Sequence, residues 1–216
     1  MKEMLGVVHI QSGFELGYDS KLAIANDEIN LGKGVHYLIG RNGKGKTTLL
    51  KTLSKLVAPF KGQVNIPTNS VYVSEDLNFD EELSGRVILK SLLNKEAFNK
   101  AEEFAAELEL DLQKPYGKLS TGNKRKILVI LSEFQLQGKE NALIMVDEPL
   151  SGIDYTIKQR IHARWNENSD DFIRIISYHP DDKDLKIESA IIISEGKIQH
   201  VSGAELSWDE IQTLAA

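Results

Sequence analysis

Residues 40–48 read GRNGKGKTT, set between the apolar run VHYLI (35–39) and the apolar-periodic TLLKTLSKLV (48–57). The stretch fits G-x-x-x-x-G-K-[ST] with Gly40, Gly45, Lys46 and Thr47 at the fixed positions. Glycines at 40, 43 and 45 let the main chain wind so that successive N–H groups turn inward on an anion. A helix starting near Lys46 adds its positive end. Gly40, Asn42, Gly43, Lys44, Gly45, Lys46, Thr47 and Thr48 are thus a candidate triphosphate cradle. Lys46 has the reach for the β- and γ-phosphates, and the Thr47 hydroxyl suits the coordination shell of Mg2+.

Working outward, MLGVVHI and GFELGY read as short strands before the cradle, and QVNI and SVYV as strands after its helix, which Pro59 and Gly62 should stop. SGRVILKSLLN and AFNKAEEFAAELEL carry apolar residues at three- and four-residue spacing and read as helices with a packed face. Then KRKILVILSEFQLQ (helix), ALIMV (strand), YTIKQRIHARWNEN (helix) and FIRIIS (strand) alternate. A hairpin of IIIS and KIQHV follows, and AELSWDEIQTLA reads as a closing helix. Apolar strands alternating with helices imply a largely parallel sheet covered on both faces. The expected fold is α/β: a P-loop NTPase core with an antiparallel β edge and a small helical subdomain. The expected organisation is one domain over 1–216, with 1–74 and 119–216 as catalytic core and about 75–118 as the helical part.

Composition narrows the function. The 216 residues carry a net charge of −6, which argues against a general nucleic-acid binder. There is no cysteine, so disulfides, thiolate metal sites and cysteine nucleophiles are excluded. No apolar run approaches membrane-spanning length, and the N-terminal residues lack the pattern of a signal peptide.

Ligands of open α/β sheets sit beyond the carboxyl ends of the strands. ALIMV ends in Asp147-Glu148-Pro149, FIRIIS in Tyr178-His179-Pro180 and SVYV in Ser74-Glu75-Asp76. Asp147 suits a Mg2+ ligand, Glu148 a general base or positioner for attacking water, and His179 a γ-phosphate contact. His9, His36, His162 and His200 have no ligand spacing and read as structural or surface residues.

Together these motifs resemble the ATP-binding cassette family, in its nucleotide-binding transporter subunit, over nearly the whole chain and in the family's order. GRNGKGKTT resembles Walker A, LSTGNKRK (119–126) the signature motif, LIMVDEP Walker B with its catalytic glutamate, and SGID (151–154) the D-loop. His179 matches the switch histidine, and Tyr18 has about the spacing of the aromatic that stacks on adenine. The resemblance assigns catalysis to Glu148, His179 and Lys46. It adds Tyr18, Glu75, Ser120, Gly122 and Asp154 to the nucleotide contacts, and gives Thr47, Asp147 and Glu75 to the metal. In the signature, Thr121 and Asn123 replace the common Gly and Gln. At the Q-loop position stands Glu75, where the family has glutamine; it keeps an oxygen for metal but adds charge and lacks the amide donor. Lys124, Arg125 and Lys126 read as a solvated helix face, with a phosphate-facing cluster as the alternative.

What the resemblance implies is an ATPase using ATP and Mg2+. Two nucleotide-binding subunits, identical or not, would close over ATP to power a separate transmembrane permease subunit, with a lean toward export. It would sit on the cytoplasmic face of the membrane and bind no nucleic acid. The alternatives are a soluble ABC ATPase without a transport role and a regulatory nucleotide-binding module with little turnover. A GTPase would need N-K-x-D, and NKEA at Asn94 lacks the aspartate.

Overall fold

The computed structural model describes residues 6–178, 187–206 and 213. An eight-stranded sheet forms its centre. The strands are β2 (Phe14–Gly17), β3 (Lys21–Ala25), β5 (Gly34–Gly40), β7 (Asn69–Val73), β8 (Ala142–Val146), β9 (Phe172–Ser177), β10 (Ile187–Ser194) and β11 (Lys197–Leu206). Their order is β2-β3-β11-β10-β5-β9-β8-β7. From β10 through β5, β9 and β8 to β7 every pairing is parallel, while β10–β11 and β2–β3 are antiparallel. A separate antiparallel sheet holds β4 (Ile29–Leu31), β1 (Val8–Ile10) and β6 (Val64–Asn65) in that order. The antiparallel portion is therefore an edge of the main sheet plus a small second sheet.

The parallel strands are apolar throughout because both their faces are covered. Leu38, Leu143, Met145, Ile173, Ile175, Ile191 and Ile193 pack on one side with α1 (Lys46–Leu53) and the three-stranded sheet. Tyr37, Ile39, Ile176 and Ile192 face the other side, packing with α3 (Lys95–Glu107), α4 (Thr121–Phe134) and α5 (Tyr155–Glu167). α2 (Gly85–Leu92) joins this second cluster through Ile88 and Leu89, so the helical stretch shares a core with the sheet.

Side-chain caps fix the helix starts. Ser84 accepts from Val87 N–H, Asn94 from Ala97 N–H, Ser120 from Asn123 N–H and Asp154 from Ile157 N–H, each satisfying an otherwise orphan donor. α1 is the exception: its N-cap is Gly45, at φ +109, with no side-chain bond.

Two element expectations need correction. α1 stops at Leu53, well short of Pro59, because Lys55 turns into the left-handed region at φ +62. Residues 204–206, expected to open a helix, continue strand β11; most of the rest of that helix expectation lies outside the described residues. Among the described residues no helix is long and apolar enough to cross a membrane.

At the amino ends of β5 and β10, Ser189 Oγ lies 2.7 Å from His36 Nδ1 and 2.9 Å from His200 Nε2, tying these two strands to β11. His36 Nε2 faces the Gly32 carbonyl at 2.8 Å and must donate to it, so Nδ1 accepts from the serine. Burial holds both imidazoles below the ordinary histidine value. In the window between that lowered value and about 6.5, the unfolded chain binds more protons than the folded one, so stability falls as pH falls. Urea unfolding at pH 7.5 and 5.5 is expected to show this loss, and His36→Gln to make it smaller; an unchanged pH slope in the variant would remove the histidine from the account.

Candidate nucleotide site

Register brings the motif ends to one rim of the sheet. Val73 pairs with Val146, Val146 with Ile176, and Leu38 with Ser177. The residues following β5, β7, β8 and β9 therefore emerge together. The loop after β5 turns tightly, with Lys44 N–H donating to Arg41 O at 3.2 Å and with Gly43 and Gly45 at φ +76 and +109. A side chain at Gly45 would also crowd Leu16, 3.1 Å from the position of an added Cβ. That contact packs β2 against the loop; Tyr18, two residues beyond Leu16, is exposed.

Lys46 is buried, yet its ammonium points back into the loop. It donates to Gly40 O at 2.9 Å and to Asn42 Oδ1 at 3.4 Å, and lies 3.8 Å from Glu148 Oε1. Thr47 is exposed at the uncapped helix start, whereas Thr48 is buried. Asp147 is buried at the end of β8, its Oδ1 accepting from Ser177 Oγ at 2.5 Å and its Oδ2 from the Tyr72 hydroxyl at 3.5 Å. Burial, with Asp147 alongside, pushes the Tyr72 phenol up to about 12, so it stays a donor. Ser177 Oγ also accepts from Glu148 N–H at 2.8 Å. One hydroxyl thus holds the Asp147 carboxylate and the Glu148 main chain. Glu148 itself sits at φ +45, a left-handed backbone that costs a non-glycine residue energy and persists only where the surroundings impose it.

Glu75 follows β7 at the same rim. Burial pushes its carboxyl up, Arg125 pulls it down, and Glu148, Asp147 and Asp76 push it up again. Arg125 Nη2 donates to Glu75 Oε1 at 2.7 Å and Nη1 to the Glu75 carbonyl at 2.5 Å. This revises the reading of the basic run, which is neither a solvated face nor a phosphate cluster. Lys126 is buried and donates to Leu108 O at 2.8 Å, and Lys124 lies 4.7 Å from the Tyr116 ring centroid.

Ser120 and Thr121 are exposed at the start of α4. A Cβ on Gly122 would come within 2.3 Å of Gly152 O, so a glycine is needed for the signature turn to lie directly on the segment 151–154. Asp154 is engaged as the N-cap of α5. His179 lies outside the described residues. Sequence reasoning missed Ser177, Tyr72 and the partner of Arg125; a lone serine closing the apolar FIRIIS was the available signal for the first.

The donor set fits Mg2+. Thr47 and Asp147 offer hard oxygens, and the described residues hold no cluster of three His, Cys, Asp or Glu that would cage a metal by itself. Mg2+ is ordinarily held by one or two carboxylates together with substrate phosphates and water. At the rim, residues 41–44 and Thr47 are exposed. Two clefts, of about 590 and 460 Å3, open at the opposite end of the strands around Lys33.

Comparison with known proteins supplies the family and the fold. The model of the ABC transporter family matches residues 25–151, more than half of the chain. A curated relative, the phospholipid-transporting ATPase ABCA3 of Mus musculus, is 25% identical over an alignment of 222 positions, gaps included, that covers 89% of this chain and 12% of that protein. The chain thus spans about an eighth of the curated relatives of this group. A solved ATP-binding subunit of an ABC transporter superposes with TM-score 0.74 at 19% identity, covering 96% of this chain and 98% of that one. A dimeric post-hydrolysis state of an ATP-binding cassette bound to ADP and Pi superposes with TM-score 0.67 at 15% identity, covering 90% and 98%. At these identities the two structural likenesses establish the α/β P-loop fold.

Proposed function

The chain belongs to the ABC transporter family, as an ATPase domain of it, and from that premise we propose that it hydrolyses Mg·ATP to power a separate membrane subunit, by closing against a second cassette. The observation that carries this reading is the Lys46 ammonium, held by Gly40 O and Asn42 Oδ1 and only 3.8 Å from Glu148 Oε1. A phosphate-binding cation and a proton acceptor face one another across the strand tips.

Mg2+, where Thr47 and Asp147 would hold it, supplies neutralisation of phosphate charge. The remaining work belongs to the chain. Lys46 and the amides of the loop grip the terminal phosphates, and exposed Tyr18 offers a ring for the base. Glu148 orients water and accepts its proton, with Ser177 fixing the main chain beneath it. His179 is assigned a γ-phosphate contact on the strength of its position in sequence. Catalysis of this kind is mainly positioning and electrostatic stabilisation.

The exposure of residues 41–44 and Thr47 at the loop, and of Ser120 and Thr121 at the signature turn, supports closure by a partner cassette, whose signature turn, led by Ser120 and Gly122, would cover the phosphates. Residues from about 75 to 118, which hold α2 and α3, would form the helical subdomain. The exposed Leu83, Val87 and Leu92 support docking of an apolar membrane subunit there, on the cytoplasmic side. The name of one relative, a phospholipid-transporting ATPase, favours an amphiphile as the cargo, and the lean toward export rests on the LSTG form of the signature.

Phosphate release by the purified chain, alone and with membrane proteins that copurify with it, tests the reading. No release in either setting would favour a regulatory nucleotide-binding module. Stimulation without any hydrophobic partner would favour a soluble ABC ATPase. Lys46→Ala is expected to weaken ATP binding by about 10- to 100-fold, the size of losing a charge-assisted hydrogen bond to phosphate. A fluorescent-nucleotide titration with unchanged affinity would contradict the assignment.

A further inference from the structure

The arginine of the signature helix and the glutamate at the Q-loop position form one unit. Arg125 lies one turn into α4 and is 11% exposed. Its two terminal nitrogens grip the same residue of another element, one through the Glu75 carbonyl at 2.5 Å and one through the carboxylate at 2.7 Å. The main-chain arm fixes the loop whatever side chain stands there; the carboxylate arm needs an anion. We infer that Arg125 is a positioning residue for the ATPase reaction, a two-pronged clamp that holds the loop after β7 against the signature helix, and that glutamate stands at position 75 because it is the counter-ion this arginine requires.

The surroundings make a carboxylate the better partner than an amide. An amide at 75 would leave a nearly buried guanidinium with neutral acceptors only, and a half-paired buried charge is costly. Arg125 Nε already has no partner among the described residues. The charge on Glu75 is not free of cost, since Asp147 and Glu148 crowd it from the end of β8 and Asp76 from its own loop. Arg125 offsets that crowding. The clamp therefore sets both where the Glu75 oxygen sits and how much negative charge the rim presents to a phosphate. It also couples the helix that begins at Ser120 to the tip of β7, so displacing one displaces the other.

This inference rests on the ATPase reading for its kinetic consequence but not for the clamp itself, and the test separates them. Hydrogen–deuterium exchange without nucleotide reads the clamp. Arg125→Gln is expected to speed exchange of the amides at 74–79 by about tenfold or more, as expected for loss of charge-assisted bonds, with the buried part of α4 unchanged. Glu75→Gln should produce a smaller increase, because the main-chain arm survives. In ATP hydrolysis, Arg125→Gln should lower kcat by about tenfold with KM changed little, Arg125→Lys should recover part of it, and the double variant Arg125→Gln/Glu75→Gln should be no slower than Arg125→Gln. Unchanged loop exchange in Arg125→Gln, or fully additive losses in the double variant, overturns the clamp. If Arg125→Gln does not fold, Glu75→Gln decides by itself: exchange and kcat both as in the parent chain overturn the proposal. A parent chain that never hydrolyses ATP sinks the ATPase reading, while the exchange result still settles the clamp.

Discussion

Glu148→Gln is expected to slow ATP turnover by about 100- to 10,000-fold, the usual contribution of a positioned general base, with nucleotide affinity little changed. The substitution keeps size and keeps an oxygen toward the Lys46 ammonium, 3.8 Å from the present carboxylate. What it removes is the capacity to take a proton from water. The backbone there is fixed independently of the side chain: Ser177 Oγ accepts from the residue 148 N–H at 2.8 Å, and φ stays at +45. Loss of activity would therefore report the missing base rather than a collapsed turn. Bound but uncleaved ATP should also hold two cassettes together, so size exclusion with ATP should show a dimer for this variant and a monomer without nucleotide. Full turnover with no dimer would strip Glu148 of its role. An inactive variant that also fails to bind ATP would point to a structural part instead.

The local parts of this site were legible because each is written in contiguous residues. A phosphate loop is a property of glycine spacing between a strand and a helix, and an acid pair closing a buried strand shows itself by ending the apolar run. What the sequence could not disclose comes from register. Ser177 meets Asp147 only because β9 lies beside β8 with Ile176 against Val146. Nothing local announces that pairing. The basic run at 124–126 misled for the same reason. Three adjacent cations on a helix look solvated, but α4 is wrapped by the helical segment and the β7 loop, and each cation finds a different internal partner. Nor does the sequence disclose that Glu75, where the family has glutamine, meets a partner fifty residues along the chain. Helix ends were misjudged where a non-glycine residue, Lys55, takes a left-handed backbone that propensity disfavours.

Removing Glu133 should be the most destabilising single change outside the nucleotide rim. Its carboxylate, buried on α4, accepts from Arg174 Nη2 at 2.9 Å and lies 3.8 Å from Arg164 Nε. Arg174, on β9, is almost wholly buried and also donates to Asn168 O at 2.8 Å. Arg164 stacks its guanidinium 4.4 Å from the Phe104 ring centroid and 5.0 Å from that of Phe134. One anion thus serves two cations, and Glu133→Ala leaves both facing each other without it. Breaking a buried pair from one side costs about 3–5 kcal/mol. The expected result in urea is a lower midpoint with an unchanged slope. The compensated double variant, Glu133→Leu with Arg174→Met, removes the charges together and should recover most of the loss, since well-packed apolar replacements of buried pairs are often neutral or better. A loss under about 1 kcal/mol for Glu133→Ala would mean that water already reaches these groups. The consequence extends to the site, because Arg174 lies on the strand that ends in Ser177. Loosening the base of β9 should disturb the hydroxyl that holds the Asp147 carboxylate and the Glu148 main chain. At temperatures where the variant is still folded, Glu133→Ala should therefore lose turnover as well as stability, and the double variant should regain both together.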